Sequence, residues 1–281
     1  MQSWYTSRGA NLRVDNGRLV ISARQDNATE MQAVQQGCWD LCGQSCAAQG
    51  FLPDTQRLID CTIACGENRC PAIKFTSSRI RTSNSFSVAP SAHYSTVRIA
   101  ARIKVSSGEG LWPAFWMLPD SQQSSNCSGC GVYGGWPASG EIDIAELGSD
   151  NGTMSLVTGS LHYGGPADYA SKVMSSFIRP GVYHTYAVEW SLSEIRFKVN
   201  HIIFGKINNT VSGQGWFSTG PGAQASSPFD QPFYIILNMA VGGDYVGNPS
   251  VSTIASTLSQ GPKQMEVDWV RVWGLRDILA P

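Results

Sequence analysis

The sequence predicts an all-β protein built as a sandwich of two antiparallel sheets. Short segments in which apolar and polar residues alternate recur along the chain, and glycines and prolines separate them. Outside residues 33–71, no long segment follows the period of a helix. The 281 residues include 29 glycines and 14 prolines, which suits one large domain over residues 1–281, with residues 33–71 as an insertion.

The first predicted element is a β-hairpin within residues 10–24. Two alternating segments, residues 11–14 and 18–21, flank a turn that ends in Gly17. The glycine permits the positive φ that tight hairpin turns require.

The insertion at residues 33–71 is predicted to be a disulfide-rich helical hairpin. Its six cysteines form two groups that are nearly mirror images about residues 50–54, and most are spaced four apart, on one helix face. A hairpin would nest them as Cys38–Cys70, Cys42–Cys65 and Cys46–Cys61. A metal cluster is the rival interpretation, but the C-x3-C steps fit zinc sites less well than C-x2-C. The segment is too small to bury its own core, so the disulfides should hold it together.

Strands resume at Phe75. Residues 96–105 alternate well, and residues 110–119 form an aromatic strand bounded by prolines. A period of two places Trp112, Ala114 and Trp116 on one face if Pro113 lies at the strand start or at an edge. The Ser/Gly-rich loop that follows, residues 120–139, holds Cys127 and Cys130, which we predict to form a local disulfide.

Three acids lie within residues 140–148, in a chain where only 15% of residues are charged. Alternation places Glu141 and Asp143 on one face of a strand, and strict alternation would send Glu146 to the other face. One extra residue near positions 144–145, a β-bulge, would return Glu146 to the face of Glu141. A solvated acidic strand edge is the alternative interpretation.

Carboxyl groups grouped in this way have a use in cleaving glycosidic bonds. One carboxylate attacks or stabilises the sugar carbon while one carboxylic acid protonates the leaving oxygen, and retaining enzymes hold the two roughly 5–5.5 Å apart. Crowding the anions raises at least one pKa, which keeps an acid protonated near neutral pH. Trp112, Trp116 and Trp136 lie just upstream, and aromatic faces stack on sugar rings.

Regular strand spacing continues to the end of the chain. The later predicted strands are residues 155–162, 184–190, 195–199, 233–240 and 265–272. Gly242 and Gly243 end the strand at residues 233–240.

Several of these segments together resemble glycoside hydrolase family sixteen, specifically its laminarinase-like branch of β-glucanases. The resemblance runs from about residue 3 to residue 273, apart from the insertion. It implies a jelly-roll sandwich with a glucan cleft across a concave face, and a retaining, endo-acting enzyme for β-1,3-glucan, with mixed β-1,3/1,4-glucan as a further candidate substrate. The segments that carry it are residues 112–118, 141–146, 161–163, 184–190, 237–243 and 267–272.

The resemblance also implies roles for the three acids. Glu141 is the expected nucleophile, Glu146 the acid/base, and Asp143 assists between them. The extra residue before Glu146 matches the laminarinase branch, whereas lichenases carry one residue fewer. Agarases and carrageenases share the bulge, so the WPAFWML (112–118) and LNMAVGG (237–243) segments are what favour β-1,3-glucan.

Substrate-binding residues follow from the same resemblance. Trp136 matches a cleft tryptophan, or is a loop residue packing the rim. Trp112 and Trp116 match cleft-strand positions, although one of them could fill the core instead. His162 matches a histidine beside the cleaved linkage, or is a generic strand histidine. The remaining candidates, expected to bond sugar hydroxyls, are Asn238 and Arg79.

The chain departs from the family pattern in two places. Relatives have some twenty-odd residues before the segment that starts at Trp4, so the N-terminus is either truncated or built differently. Many relatives bind a structural calcium through an aspartate that matches Asp268, which makes calcium an option here, while no cofactor is expected for catalysis. The cysteine-rich insertion replaces a short loop near one end of the cleft, and we expect it to wall or extend that cleft.

Charge and composition restrict the partners. The formal net charge is −1, with no basic tract and no apolar run of about 18 residues, so neither nucleic acid nor membrane is expected. Eight cysteines and sequons at Asn27, Asn126, Asn151 and Asn208 favour a secreted glycoprotein. The expected partner is a β-glucan polysaccharide, and the protein is expected to be a monomer. The rival functions are a non-catalytic glucan-recognition protein, and a transglycosylase or galactanase on the same fold.

Overall fold

Each segment for which alternation predicts a strand is a strand in the computed structural model, which describes residues 3–49, 56–70, 74–82, 85–120, 129–150, 155–209 and 215–276. The predicted turn at residues 50–54, Cys127, Asn126 and Asn151 lie outside those residues. In chain order the elements are β1 (Ser3–Tyr5), β2 (Leu12–Asp15), β3 (Arg18–Ala23), α1 (Ala28–Ala47), α2 (Gln56–Arg69), β4 (Phe75–Ser77), β5 (Arg79–Arg81), β6 (Thr96–Val105), β7 (Leu111–Pro119), β8 (Glu141–Asp150), β9 (Ser155–Tyr163), β10 (Ala170–Ile178), β11 (His184–Ser191), β12 (Glu194–Val199), β13 (Ile202–Asn208), β14 (Phe233–Val241), α3 (Val251–Leu258) and β15 (Lys263–Leu275).

Two antiparallel sheets form the predicted sandwich. One has the order β10-β9-β8-β7-β14-β5 and the other β13-β12-β11-β6-β15-β3-β2, while β1 and β4 form a separate parallel pair. The 10–24 hairpin is confirmed as β2 and β3, joined at Asn16 and Gly17, both with positive φ. The fold class is therefore all-β, as predicted.

The core lies between the two sheets. Inner-face residues from both, including Phe115, Ile142, Ile103 and Phe197, are fully buried. Each buried side chain of this size contributes about 1.5–3 kcal/mol relative to exposure. Trp190 is also fully buried, and its indole N–H donates to the carbonyl of Phe229 at 3.0 Å. Its burial therefore leaves no unpaired indole N–H in the core.

Pro113 lies near the start of the aromatic strand, which is an interior strand of its sheet. It is the third residue of β7 and pairs with Met239 of β14, whereas the ladder with β8 begins at Ala114. Its missing N–H therefore falls beyond the β7–β8 ladder. Trp112, Ala114 and Trp116 consequently share the outer face of the six-stranded sheet.

The cysteine-rich insertion is a helical hairpin with the predicted nested disulfides. Helices α1 and α2 are joined by Cys38–Cys70, Cys42–Cys65 and Cys46–Cys61, so the metal-cluster alternative is wrong for these six residues. Asn27 caps α1 in a capping box with Glu30, an arrangement typically worth about 1 kcal/mol. Cys130 is disulfide-bonded.

The two ends of the hairpin meet at one point of the sandwich. Arg24 and Thr76 exchange two backbone hydrogen bonds, each 2.9 Å long. Beside them the buried carboxylate of Asp26 pairs with Arg8, with Arg24 at 2.7 Å, and with the Thr76 hydroxyl at 2.9 Å. Among the described residues, the main core takes no member from the hairpin.

Four elements were not predicted: β1, β10, β13 and α3. Strand β10 departs from the usual alternation, because the apolar Val173 and Phe177 face solvent while the polar Lys172 and Ser176 are partly covered. Strand β13 likewise exposes Ile202, and α3 is too short for its buried pair, Ile254 and Leu258, to establish a helical period. None of the described helices has both the length and the apolar character needed to cross a membrane.

Candidate active site

The acids of β8 are brought together by the predicted bulge. Opposite β9, Asp143 pairs with Ser160 and Glu146 with Thr158, so β8 carries one residue more than its partner. The same shift occurs opposite β7, where Asp143 pairs with Trp116 and Ala145 with Phe115. The bulge turns Ile144 and Ala145 both into the core, at 0% exposure, and returns Glu146 to the outer face.

A tyrosine from a distant segment fixes the bulge. The Tyr245 hydroxyl donates to the backbone carbonyl of Glu146 at 3.1 Å and bonds the Thr158 hydroxyl at 2.9 Å. Its ring crosses β8 over Gly148, where an added Cβ would lie 2.7 Å from the ring. Gly148 is therefore the residue that allows Tyr245 to reach the bulge.

Each glutamate accepts a hydrogen bond from a different tryptophan. The Trp136 indole N–H donates to Glu141 Oε2 at 2.7 Å, and that of Trp112 donates to Glu146 Oε1 at 2.9 Å. Trp112 also stacks on Tyr245, with ring centroids 5.1 Å apart. Both indoles are therefore tied to the carboxyl groups at the outer face of the sheet.

His162 lies against the central aspartate. Its Nε2 is 2.9 Å from Asp143 Oδ2, and its Nδ1 bonds the Tyr169 hydroxyl at 2.7 Å. The rings of His162 and Tyr169 stack, and Trp136 lies 5.4 Å from Tyr169. These three rings form an aromatic wall beside Glu141.

Burial raises the pKa of all three acids. The pKa of Glu141 rises to about 8, through burial first and then through the charge of Asp143. The pKa of Glu146 rises to about 7, mainly through burial, while the Trp112 hydrogen bond opposes the rise. Burial and the charge of Glu146 raise the pKa of Asp143 well above its usual value. The three carboxyl groups therefore do not all carry charge at neutral pH.

A second polar cluster lies further along the same face. The Trp116 indole N–H donates to Asn238 Oδ1 at 2.7 Å, and the Arg79 guanidinium lies 4.7 Å from the Trp116 ring centroid. The Tyr5 hydroxyl bonds the Asn238 side chain, and burial raises the pKa of Tyr5 to about 12. Burial likewise lowers the pKa of Arg79.

The structure thus places every predicted sugar-contacting residue on the outer face of the six-stranded sheet. Neither Trp112 nor Trp116 belongs to the core between the sheets; Trp116 packs instead against Leu118, Tyr234 and Ile236. Sequence reasoning missed three tyrosines at the site, which come from segments without a strand signal or from the N-terminus. They are Tyr5, Tyr169 and Tyr245.

The described residues around Asp268 do not fit a calcium site. Its carboxylate is paired with the Arg102 guanidinium at 2.5 Å, and Lys104 and Arg102 both lie over the neighbouring Tyr183 ring. A divalent cation needs oxygen ligands rather than cationic neighbours.

Among the described residues, the acids and histidines close enough to share an ion are Glu141, Asp143 and His162, whose ligand atoms lie within 4.8 Å of one another.

A β-sandwich with carboxyl groups and aromatic rings on one sheet face defines a class of carbohydrate-active proteins. Comparison with protein families matches residues 54–271 to the glycosyl hydrolases family 16, and the chain belongs to that family.

Relatives agree with this assignment. The chain is 37% identical over 187 residues to glucan endo-1,3-beta-glucosidase A1 of Niallia circulans, a match that covers 63% of this chain and 24% of that protein. It is 29% identical over 278 residues to the glucan endo-1,3-beta-glucosidase of Cryptopygus antarcticus, covering 97% of this chain and 80% of that protein. The laminarinase structure from Rhodothermus marinus superposes with a TM-score of 0.60 at 27% identity, covering 98% and 85% of the two chains.

Proposed function

We propose that this protein is a retaining, endo-acting hydrolase of β-1,3-glucan of the laminarin type. One observation carries the proposal: the bulge in β8 brings Glu141 and Glu146 to one sheet face with Asp143 between them. The named activities of the relatives support the substrate class. Mixed β-1,3/1,4-glucan is a second candidate substrate.

In this proposal Glu141 is the nucleophile. It must be ionised to attack the anomeric carbon, although burial raises its pKa. We place the proton shared by the acids on Asp143, because its side chain is the most deeply buried of the three. A protonated Asp143 donates to Glu141, which removes the repulsion between the two groups and leaves the charge on the attacking carboxylate.

Glu146 is the acid/base. With its pKa raised to about 7, much of it is protonated at neutral pH and can donate to the leaving glycosidic oxygen. After the glycosyl–Glu141 ester has formed, the Glu146 carboxylate takes a proton from water, which then attacks the same carbon from the face that the leaving group vacated. Two displacements on one carbon retain its configuration.

The surrounding residues bind the glucan. Trp112, Trp116 and Trp136 provide ring faces for sugars, and the half-exposed Trp136 is the most accessible. His162 contacts the sugar next to the cleaved linkage. The hydroxyl groups of sugars further along are bound by Asn238 and Arg79.

Substitution of each glutamate tests the roles. Glu141→Gly and Glu146→Ala should each lose roughly 10²–10⁴-fold of the activity on laminarin, while Glu109→Gln, at an exposed acid outside the site, stays near the parent protein. Azide replaces whichever carboxylate is missing. Glu141→Gly with azide should release the α-glycosyl azide, and Glu146→Ala the β-anomer.

The opposite anomers, or a glutamate variant with activity near the parent, would contradict the assignment. A glucan-recognition protein would bind laminarin without releasing reducing ends, and a transglycosylase would release longer products than its substrate. Parallel assays on laminarin, lichenan and agarose separate β-1,3-glucanase, mixed-linkage and galactanase activities. The presence of both glutamates favours an enzyme over a glucan-recognition protein.

We further propose a secreted monomer that needs no cofactor, organised as one catalytic domain with the hairpin as an insertion. The three disulfides support an oxidising compartment. The net charge of −1 argues against nucleic acid and anionic membranes as partners. Calcium dependence, if found, would require a site other than the Arg102–Asp268 pair.

A further inference from the structure

The hairpin carries a groove that the family resemblance does not account for. A shallow, solvent-open surface groove runs along α1 where it faces α2. It is lined by Gln36, Trp39, Asp40, Gly43, Gln44 and Thr62.

Helical spacing explains why these side chains line one surface. The α1 residues at positions 36, 39, 40, 43 and 44 follow the i, i+3, i+4, i+7 pattern of a single helix face. Trp39 lies at the edge of that face, where its ring also packs against the disulfides of Cys38 and Cys42. The indole is therefore a rigid ring held by crosslinked backbone.

Gly43 keeps the groove open. A Cβ added there would meet only Thr62, at 3.9 Å, which is ordinary contact. Packing of α1 on α2 therefore does not require a glycine, although glycine destabilises a helix interior relative to alanine. What the glycine leaves is space beside Trp39.

The hairpin that carries the groove adjoins the proposed active site through β1. Trp4 packs against the disulfide cluster of the hairpin, and the next residue, Tyr5, bonds Asn238 in the cluster with Arg79 and Trp116. Successive strand residues point to opposite sides, so β1 separates the hairpin from that cluster by the thickness of one strand. The hairpin thus adjoins the Arg79 end of the sheet face.

We propose that the groove on α1 is an additional binding site for the same β-1,3-glucan chain, beyond the Arg79 end of the active-site face. This inference rests on the proposed function. The lining fits an uncharged polyhydroxyl ligand: an aromatic ring, two primary amides, a hydroxyl and one carboxylate that already accepts from Gln36 at 2.9 Å. It contains no cation that would select a phosphate or an acidic peptide.

Two pairs of variants test the site in the full-length protein. Trp39→Ala removes the ring, and Leu41→Ala is its control at an exposed position on the same helix. Gly43→Gln fills the groove, and Gly37→Gln makes the same change where an added Cβ meets nothing within 4 Å. The probes are laminarin and a length series of β-1,3-linked gluco-oligosaccharides, with KM measured on the parent background and Kd on a Glu141→Gln background.

We expect Trp39→Ala and Gly43→Gln to raise KM and Kd for laminarin about three- to tenfold. The effect should shrink as the oligosaccharide shortens, and both controls should stay within about twofold. Should Gly43→Gln match Gly37→Gln on laminarin, the site is refuted, even if Trp39→Ala is impaired by a misfolded hairpin. Should the parent protein neither bind nor cleave laminarin, the proposed function itself fails, which is a different result.

Discussion

The tryptophan hydrogen bonds to Glu141 and Glu146 are the residue-scale feature with the clearest kinetic consequence. An N–H donor favours the ionised form of a carboxyl group and lowers its pKa. Trp112 and Trp136 each act on a different member of the pair. They therefore control opposite limbs of the pH–rate profile.

Trp112→Phe should move the basic limb of kcat/KM to higher pH. Loss of the indole N–H raises the pKa of Glu146 above its value of about 7, so the acid stays protonated at higher pH. A charged hydrogen bond of this kind corresponds to a shift of about one pH unit. The measurement is kcat/KM for a β-1,3-linked gluco-oligosaccharide between pH 4 and pH 10.

Trp136→Phe should act on the acidic limb instead. Its loss raises the pKa of Glu141, so a higher pH is needed to ionise the nucleophile. Trp116→Phe is the matched control, because its indole bonds Asn238 rather than a carboxyl group. A basic limb that moves downward in Trp112→Phe, or one that moves equally in Trp116→Phe, contradicts the assignment of Glu146.

The sequence predicted the acids and their partners Trp112, Trp136 and His162, but not the tyrosines of the site. Glu141, Asp143 and Glu146 follow from one short segment, whose alternation and length are visible in the sequence. Tyr245 reaches the bulge from a segment nearly a hundred positions later, and Tyr169 lies just before β10, which itself escaped prediction. Contacts between such distant segments are set by sheet order and loop path, which no local pattern encodes.

At the scale of elements, the β8 bulge decides which side Glu146 faces. Deletion of Ala145 would restore strict alternation and leave all three acids on the outer face. Insertion of one alanine after Ala145 would instead turn Glu146 into the core, where an unpaired charge costs about 3–5 kcal/mol. We expect the deletion to remain folded with reduced activity, and the insertion to lose both stability and activity.

Thermal melting and laminarin hydrolysis compare the two length variants. The same deletion and insertion made in β10, which lies at the sheet edge, serve as a control for the general cost of changing strand length. If the β8 insertion variant were as active as the β8 deletion variant, the bulge would not determine the sheet face to which the Glu146 side chain points.

The elements differ in how far the sequence could predict them. Strand β6 alternates between core and outer face over its whole length, and its bounds were predicted without error. The hairpin was predictable because most of its cysteines are four positions apart, on one helix face, and the two groups mirror each other about residues 50–54. Strand β10 was not, because its exposed Val173 and Phe177 reverse the link between apolar character and burial on which the prediction depends.

At the scale of the whole molecule, the hairpin should be removable. Its ends meet at Arg24 and Thr76, and the described main core contains none of its residues. The variant replaces residues 28–73 with a short Gly/Ser loop and carries Trp4→Gln, because removal of the hairpin would expose the Trp4 ring. Its Tm should differ from that of the parent protein by no more than about 2–4 °C. The products released from laminarin should change in length, because the glucan loses its contacts with the hairpin beyond Arg79.

Chromatography of early laminarin products, beside the Trp39→Ala protein, measures that change. The reduced parent protein is an unsuitable control because its hairpin is still present, whereas Trp4→Gln alone isolates the effect of the surface change. An unaltered product profile in a stable variant would show that the hairpin neither walls nor extends the substrate site.

The Arg24–Thr76 junction also bears on how this chain tolerates changes in length. Two adjacent backbone positions connect the sandwich to everything between β3 and β4, so a gain or loss of sequence there leaves both sheets and all their registers unchanged. Doubling the length of a flexible connection costs only about 0.6 kcal/mol in closure entropy. Segments of other lengths can therefore be joined at this junction, beside the proposed glucan-binding surface, without displacing the acids of β8.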